Sequence, residues 1–346
     1  MERNRICALP KSKLKSVLNR VILGSIFLFL NLEVASTTDW LRYAESSLAH
    51  KKAASENRTY DKKYEAREYS GYDKALGRVH GWCSSRNFRG YANQDRILAV
   101  SMQGKNTQLF GVFDGHGKNG DEVSDLIMRY MPEHIATYGP GNKACSAMNT
   151  HIKEKLGDRA NYNGSTGTMV LVHELQGLED TQKNIQKYGQ ETGIKSKNIK
   201  ITLINLGDSR TVLGDIRGNL KYATRDHKPD DTHEHDRIKK FGGYIQWRGC
   251  WRLMGKIALS RGFGDLSVAH YGYSVEPDVI TIKAQEDDFI LLASDGVWDV
   301  ITSQDAVMFV AEKLKMGISP EQAAQALVER VRNHTNDDVT ALIICL

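Results

Sequence analysis

The chain lacks the cysteine pattern of a disulfide framework or a zinc site. Its 346 residues include five cysteines, which are widely spaced and form no C-x-x-C pair. Such spacing gives no sign of a cross-linked scaffold in a chain of this length. Since 40% of the residues are hydrophobic, a substantial core can form without cross-links. We interpret the cysteines as mostly reduced or buried.

The chain also has no net charge outside its first 20 residues. Residues 1–20 contain six Lys or Arg and one Glu, which leaves 41 basic and 41 acidic residues in the remainder. A nucleic-acid-binding domain usually carries a concentrated basic surface. The overall charge of +5 therefore gives no support for nucleic-acid binding, and we predict no nucleic-acid partner.

The apolar run near the N-terminus is too short for a comfortable membrane span. It covers residues 21–32, whereas a transmembrane helix needs about 20 apolar residues. After the basic start it fits a signal peptide, with a small-residue cleavage site at Val34-Ala-Ser36. An uncleaved helix that contacts a membrane through residues 17–36 is one alternative, and a start that is never translated is another. The leader, residues 1–36, predicts the secretory pathway or membrane association, and a cytoplasmic location if it is not translated or not functional.

Two polar segments border or interrupt the remaining chain. Residues 37–75 contain few branched apolar side chains, which indicates a polar linker or an N-terminal extension. Residues 176–198 are strongly polar and predict a long hairpin loop, which is typically either functional or disordered. We assign residues 76–346 to one domain.

The most informative stretch is the sequence at 108–120. An apolar run from Leu109 to Phe113 predicts a buried strand, and it stops at Asp114. Gly115 follows, and glycine lets a backbone carbonyl approach an ion closely. His116 can move a proton near neutral pH. An acid, an exposed carbonyl and a proton donor in consecutive positions suggest a hydrolytic site for a hard cation.

Aspartates recur at the ends of other predicted strands. Asp208 and Asp295 follow apolar runs, Asp337 precedes the last run, and Asp265 lies in a glycine-rich turn. Carboxylates placed repeatedly at strand ends are better explained by shared metal ions than by chance.

Six short motifs occur in the order found in type 2C metal-dependent serine/threonine protein phosphatases, and residues 76–346 resemble that family. The motifs are FDGHG (113–117), GSTGT (164–168), NLGDSR (205–210), ALSRGFGD (258–265), ASDGVWD (293–299) and NDDVT (336–340). The resemblance implies an α+β fold, a four-layer α-β-β-α sandwich with two central antiparallel sheets flanked by helices. It also implies hydrolysis of phosphoserine and phosphothreonine in phosphoprotein substrates, by a protein that we expect to be a monomer.

The resemblance assigns roles to individual residues. Two Mg²⁺ or Mn²⁺ ions would be held by Asp114, the Gly115 carbonyl, Asp95, Asp295 and Asp337, and a water between them would be the nucleophile. His116 would protonate the leaving oxygen, and Arg89, with Arg86 as its rival, would hold the phosphate.

Other positions are assigned with alternatives. Asp208 and Asp265 correspond to ligands of a weaker third ion, and turn-capping is an equal interpretation. Gln94 departs from the family pattern, which has glutamate there, so its role is uncertain. Asp299 and Asp338 are interpreted as structural. The stretch 242–256 resembles a flap that shapes substrate access.

Three other functions are considered. Gly115 to Gly120 matches G-x-G-x-x-G, but Asp114 would repel a pyrophosphate and a second helix is predicted to follow the first. Cys83 to Arg89 fits the Cys-x5-Arg pattern of cysteine phosphatases, but that loop contains no glycine. The main alternative is a catalytically silent phosphatase-like binding protein.

Overall fold

The computed structural model describes residues 69–73, 78–86, 92–102, 107–174 and 199–346. All of them belong to the unit Tyr64–Leu346. The predicted leader, most of the predicted N-terminal extension, the loop predicted at 176–198 and Arg89 lie outside the described residues. None of the helices in the described ranges has the length and apolarity that a membrane span requires.

Two antiparallel sheets form the centre of this unit. The first has the strand order β1-β2-β16-β15-β9-β10, and the second has the order β14-β8-β7-β4-β3. The first sheet consists of β1 (Tyr69–Asp73), β2 (Arg78–Ser85), β9 (Arg210–Asp215), β10 (Leu220–Ala223), β15 (Asp288–Ala293) and β16 (Val339–Cys345). The second consists of β3 (Arg96–Ser101), β4 (Thr107–Phe113), β7 (Gly167–Glu174), β8 (Ile199–Leu206) and β14 (Asp278–Ala284).

Side chains alternate between two apolar layers along each buried strand. On β15, Phe289 and Leu291 face the outer layer while Ile290 and Leu292 face the layer between the sheets. This period of two is the consequence of the pleat. A strand buried on both faces reads as a continuous apolar run, which explains why these strands could be predicted.

Helices cover the outer face of each sheet. Helices α1 and α2 pack on the second sheet through residues such as Ile127 and Met148, and α5 and α6 pack on the first through residues such as Val310 and Leu327. The predicted four-layer α-β-β-α sandwich is therefore confirmed. The helices are α1 (Gly120–Tyr138), α2 (Asn142–Leu156), α3 (Thr232–Lys240), α4 (Asp295–Trp298), α5 (Ser303–Lys315) and α6 (Pro320–Val331).

Short strands extend from this framework. A small sheet with the order β13-β6-β5 lies beside the predicted metal residues, and a separate two-stranded hairpin pairs β11 with β12. Their bounds are β5 (Gly115–His116), β6 (Gly164–Ser165), β11 (Ile245–Trp247), β12 (Trp251–Leu253) and β13 (Phe263–Gly264).

Candidate functional site

The aspartates named from the sequence lie at matching ends of neighbouring strands. In the second sheet Arg96 pairs with Phe113, so Asp95, which precedes β3, and Asp114, which follows β4, lie at the same sheet edge. In the first sheet Ala293 pairs with Ala341, so the end of β15 and the start of β16 share an edge. Antiparallel pairing thus turns positions far apart in sequence into neighbours.

Hydroxyl groups tie the two sheets together at this edge. The Ser294 hydroxyl donates to Asp95 Oδ2 at 2.9 Å and accepts the Thr340 backbone N–H at 3.0 Å. The Thr166 hydroxyl accepts the Asp114 backbone N–H at 3.0 Å and lies 2.6 Å from the Ser209 hydroxyl. These contacts give the serine and threonine residues in the motifs a role, because Ser294 holds the Asp95 carboxylate and Thr166 holds the backbone of Asp114.

The carboxylates at this edge repel one another. Burial raises the pKa of Asp114 well above its usual range, and the charges of Asp95, Asp295, Asp337 and Asp208 raise it further. The pKa of Asp295 is likewise well above its usual range because of burial and the charges of Asp208 and Asp337. The negative charges of these aspartates are therefore concentrated in one region, which also contains Asp95.

The pKa of Asp95 is also raised by burial and by a neighbouring negative charge. Burial, followed by the charge of Asp338, raises the pKa of Asp95 to about 7. Its Oδ1 atom and the Oδ1 atom of Asp295 are buried without a hydrogen-bond partner among the described residues. Unpaired buried acceptors surrounded by like charge are costly unless a cation is present.

This group of residues fits hard divalent cations held partly by water. Among the described residues no set of three or more His, Cys, Asp or Glu side chains is arranged so that it could hold one metal ion. A closed cage of protein ligands is therefore not the arrangement seen. Mg²⁺ commonly binds through only one or two carboxylates and keeps several waters, and the paired strand ends offer such oxygens.

His116 is held by the aspartate of the glycine-rich turn. Its Nε2 atom lies 2.5 Å from Asp265 Oδ2, and the Tyr273 hydroxyl donates to the same oxygen at 3.4 Å. Burial lowers the pKa of His116, but the charge of Asp265 and its hydrogen bond outweigh that effect, so the pKa lies above the usual value. Asp265 has left-handed backbone angles (φ 46°, ψ 39°), which is uncommon for a residue other than glycine.

Lys228 enters the acidic region from the segment after β10. Its ammonium forms an ion pair with Asp208. The charge of Lys228 also lowers the pKa of Asp295, against the raising effects of burial and Asp208. The sequence predicts no role for Lys228, which lies 20 positions from Asp208.

Gln94 makes two contacts that position the loop before β3. Its backbone N–H donates to Asp338 Oδ2 at 2.8 Å, and its side-chain amide donates to the Gly117 carbonyl at 3.0 Å. Glutamate could not donate the second bond, which gives a physical reason for an amide at this position. Asp338 thus supports the loop, in agreement with its structural interpretation.

Gly164 leaves no room for a side chain beside the His116–Asp265 pair. A methyl group at this position would overlap the Asp265 carboxylate and would lie 2.5 Å from His116 Nε2. We predict that Gly164→Ala lowers kcat on a phosphothreonine peptide by about tenfold or more, because small displacements of positioned groups have large kinetic effects. Steady-state kinetics checks this.

The matched control is Gly167→Ala, whose methyl group would press instead on the Phe263 ring at 2.9 Å. If both variants lose stability equally and neither changes kcat, the space beside His116 has no catalytic importance.

The structure places most of the predicted site residues. Asp95, Asp114, Asp208 and Asp295 act electrostatically on one another, together with Asp337, which is more exposed. The ligand roles of these residues stay predictions, as does the third-ion role of Asp208 and Asp265. The partners Ser294, Thr166 and Tyr273 were missed; their only signal was their position beside or near an aspartate motif.

The two competing phosphate-binding motifs have unsuitable surroundings. Cys83 lies inside β2, opposite Ala341, and is 3% exposed, so its thiol is part of the core rather than of a phosphate-binding loop. Helix α2 follows α1 directly, so the G-x-G-x-x-G match at 115–120 does not belong to a β-α-β unit.

Comparison with known proteins agrees with these features. The model of the protein phosphatase 2C family matches residues 77–340. Protein phosphatase 1L of Bos taurus is 29% identical over 241 residues, which cover 68% of this chain and 63% of the relative. Probable protein phosphatase 2C 69 of Arabidopsis thaliana is 31% identical over 271 residues, which cover 77% of this chain and 69% of the relative. The chain thus spans about two thirds of the length of these relatives.

Solved structures show the same fold. A crystal structure of a phosphatase from a pathogenic strain of Toxoplasma gondii has a TM-score of 0.67 at 23% identity, and the match covers 82% of this chain and 96% of that one. Serine-threonine phosphatase 2C from Toxoplasma gondii has a TM-score of 0.60 at 21% identity, covering 82% and 98%.

Proposed function

Because the chain belongs to the protein phosphatase 2C family, we propose that it hydrolyses phosphoserine and phosphothreonine in proteins with the help of two divalent cations. The observation that carries this proposal is the group of mutually repelling carboxylates around Asp114. Such a group destabilises the metal-free protein, and the repulsion would be relieved if these carboxylates held Mg²⁺ or Mn²⁺.

Asp114, Asp95, Asp295, Asp337 and the Gly115 carbonyl would hold the ions. Bound divalent cations lower the pKa of a coordinated water and so supply a hydroxide near neutral pH. The hard carboxylate and carbonyl oxygens of these residues suit Mg²⁺ and Mn²⁺. Asp208 and Asp265 would serve a weaker third ion only if the contacts of these residues with Lys228 and His116 opened.

His116 supplies the proton for the departing serine or threonine oxygen. A general acid must be protonated at the working pH and held in place. Asp265 does both, since its carboxylate contacts Nε2 and keeps the pKa of His116 above the usual value. Because Asp265 acts through His116, it is a positioning residue in this scheme.

The phosphate needs a cation besides the metal ions. Arg89 is our candidate, since a planar guanidinium can bind two phosphate oxygens at once. Arg86 is its rival. KM and kcat of Arg89→Ala and of Arg86→Ala, each compared with wild type, identify the phosphate ligand as the arginine whose loss impairs turnover more.

The alternative function is that of a phosphatase-like protein that binds partners without catalysing a reaction. Such a protein would lose the carboxylates or the histidine, whereas Asp114, His116, Asp295 and Asp337 are all present in this chain. Among these positions Gln94 alone favours the silent protein, and its side-chain amide donates to the Gly117 carbonyl at 3.0 Å.

A chelator assay tests the proposal. We expect p-nitrophenyl phosphate hydrolysis with Mn²⁺, its loss with EDTA, and its return when Mn²⁺ is added in excess. The Cys83→Ser variant should keep this activity. Hydrolysis that resists the chelator and disappears in Cys83→Ser would instead identify a cysteine phosphatase, and no hydrolysis under any condition would favour the silent protein.

The proton-donor role predicts a dependence on the leaving group. His116→Ala should reduce kcat on a phosphoserine peptide by about a hundredfold, the scale of general acid catalysis. The loss on p-nitrophenyl phosphate should be much smaller, because nitrophenolate leaves without a proton. Equal losses on the two substrates would contradict this role.

The contact between His116 and Asp265 predicts how activity depends on pH. Because the pKa of His116 is raised by Asp265, activity on the peptide should persist above the usual titration range of histidine and fall as His116 deprotonates. Asp265→Asn should move that fall to lower pH. A pH profile that keeps its basic limb in Asp265→Asn would show that another group is titrating.

A further inference from the structure

The hairpin formed by β11 and β12 carries an exposed aromatic and basic surface. Trp247 and Trp251 face each other across the two strands, with ring centroids 5.5 Å apart and planes at 75°. The side chains are 60% and 39% exposed. Phe241 and Tyr244, just before the hairpin, are also more than half exposed. Four large aromatic residues within eleven positions are therefore exposed, and concentrations of exposed apolar surface are a common mark of an interaction site.

The segment that contains the hairpin is positively charged, although residues 21–346 as a whole carry no net charge. Residues 237–264 contain seven Lys or Arg and no Asp or Glu. Two of the seven, Arg237 and Arg261, are occupied by the buried Glu234, at 2.8 Å and 2.6 Å. Over the described ranges, none of the other five forms an ion pair with a carboxylate. These five are Lys239, Lys240, Arg248, Arg252 and Lys256.

The hairpin is packed against elements that hold the candidate site. Leu253 of β12 belongs to one apolar cluster with Leu259 and Tyr273. The Tyr273 hydroxyl contacts Asp265, which contacts His116. A chain of contacts through Leu253, Tyr273 and Asp265 therefore connects the hairpin to the proposed proton donor His116.

From these observations we propose that this surface binds the acidic and apolar residues that flank the phosphorylated position of the substrate. The surface consists of Phe241, Tyr244, Trp247, Trp251 and the five cations named above. This inference rests on the proposed function and names a substrate class for it. Acidic side chains would meet Arg248, Arg252 and the lysines, and leucine or phenylalanine side chains would lie against the two tryptophans. Arginine beside aromatic rings is typical of the most important residues in protein interfaces.

Two phosphothreonine peptides test the proposal, identical except that four flanking positions carry Glu in one and Lys in the other. Binding to the full chain is measured by fluorescence anisotropy in EDTA, where no hydrolysis occurs, and kcat/KM is measured with Mn²⁺. We expect the wild-type protein to favour the acidic peptide by about tenfold, since each exposed charge pair contributes little and several add. The preference should shrink in high salt because surface charges are screened.

The variant Arg248→Glu/Arg252→Glu should abolish or invert this preference. Its matched control is Lys200→Glu/Lys283→Glu, two lysines that also face each other across neighbouring strands, at the end of the second sheet opposite Asp208. The control should keep the wild-type ratio. Trp247→Ala/Trp251→Ala should weaken binding of peptides that contain leucine at the flanks by about tenfold, and of alanine-substituted peptides much less.

Three outcomes overturn the proposal. One is equal binding of the two peptides by the wild-type protein, and another is an unchanged ratio in Arg248→Glu/Arg252→Glu. The third is that the wild-type protein binds vesicles of phosphatidylcholine and phosphatidylserine more tightly than either peptide and Arg248→Glu/Arg252→Glu loses that binding, which would assign the surface to lipid. Because the anisotropy measurement needs no turnover, an inactive protein would contradict the proposed function and leave the peptide preference separately measurable.

Discussion

Asp295→Ala is expected to abolish phosphatase activity while leaving the fold intact. Asp295 starts the short helix α4 after β15, and its Oδ1 atom is buried with no hydrogen-bond partner among the residues that the structure describes. The loss should be about a thousandfold or more, since removing even one preorganised electrostatic group costs about a hundred- to a thousandfold. The measurement is kcat/KM with p-nitrophenyl phosphate and Mn²⁺, accompanied by circular dichroism.

The control lies at the other end of the same strand. Asp287→Ala removes an exposed aspartate just before β15, whose backbone carbonyl accepts the Ile216 N–H at 2.9 Å. Its activity should remain within about twofold of wild type, as for surface substitutions generally. If Asp295→Ala and Asp287→Ala behaved alike, Asp295 would not be part of the catalytic site.

Asp114→Asn should have two opposite effects, loss of activity and gain of stability in the absence of metal. The pKa of Asp114 is raised by burial and by four neighbouring aspartates, so its charged form is less favourable in the folded state than in the unfolded chain. Neutralising this side chain should therefore increase the free energy of unfolding in EDTA, which is the opposite of the usual destabilising effect of a substitution at a buried position.

The sign of the pH dependence follows from the raised pKa values. The folded state binds more protons than the unfolded chain, so stability falls as pH rises from the unfolded value of 3.8 through the folded value, which for Asp95 is about 7. Urea unfolding in EDTA between pH 4 and pH 8 should show this decline in wild type and a smaller one in Asp114→Asn. Mn²⁺ should restore stability to wild type more than to the variant. A variant less stable than wild type in EDTA at pH 7 would contradict mutual repulsion.

The framework was largely predictable because its signals are local. The buried strands appear as apolar runs such as Leu109 to Phe113, and Ser319 to Gln322 is a capping box with proline at the first helical position, which the structure contains at the start of α6. The aspartates could be named because each lies next to a strand end. The arrangement of sheets and helices in four layers was expected only from the family resemblance. The strand order was not predicted, because strand pairing depends on contacts between distant residues.

The contacts within the site could not be predicted for the same reason. His116 and Asp265 are 149 positions apart, and their contact depends on the pairing of β5, β6 and β13. Asp265 was assigned to a turn or a third ion because its residue type suits both. Lys228 shares no local signal with Asp208. The stretch 242–256 was predicted to resemble a flap, but the exposure of Trp247 and Trp251 depends on packing and has no local signal in the sequence.

The central claim is that carboxylates from separate strand ends hold two divalent cations at one site. Calorimetric titration of metal-free protein with Mn²⁺ at pH 7 tests it most directly, in wild type, Asp114→Asn and the control Asp287→Ala. The account predicts two principal ions per chain for wild type and the control, and weaker or incomplete binding for Asp114→Asn. Binding of the same number of ions with the same affinity in all three proteins, or no binding at all, would contradict it.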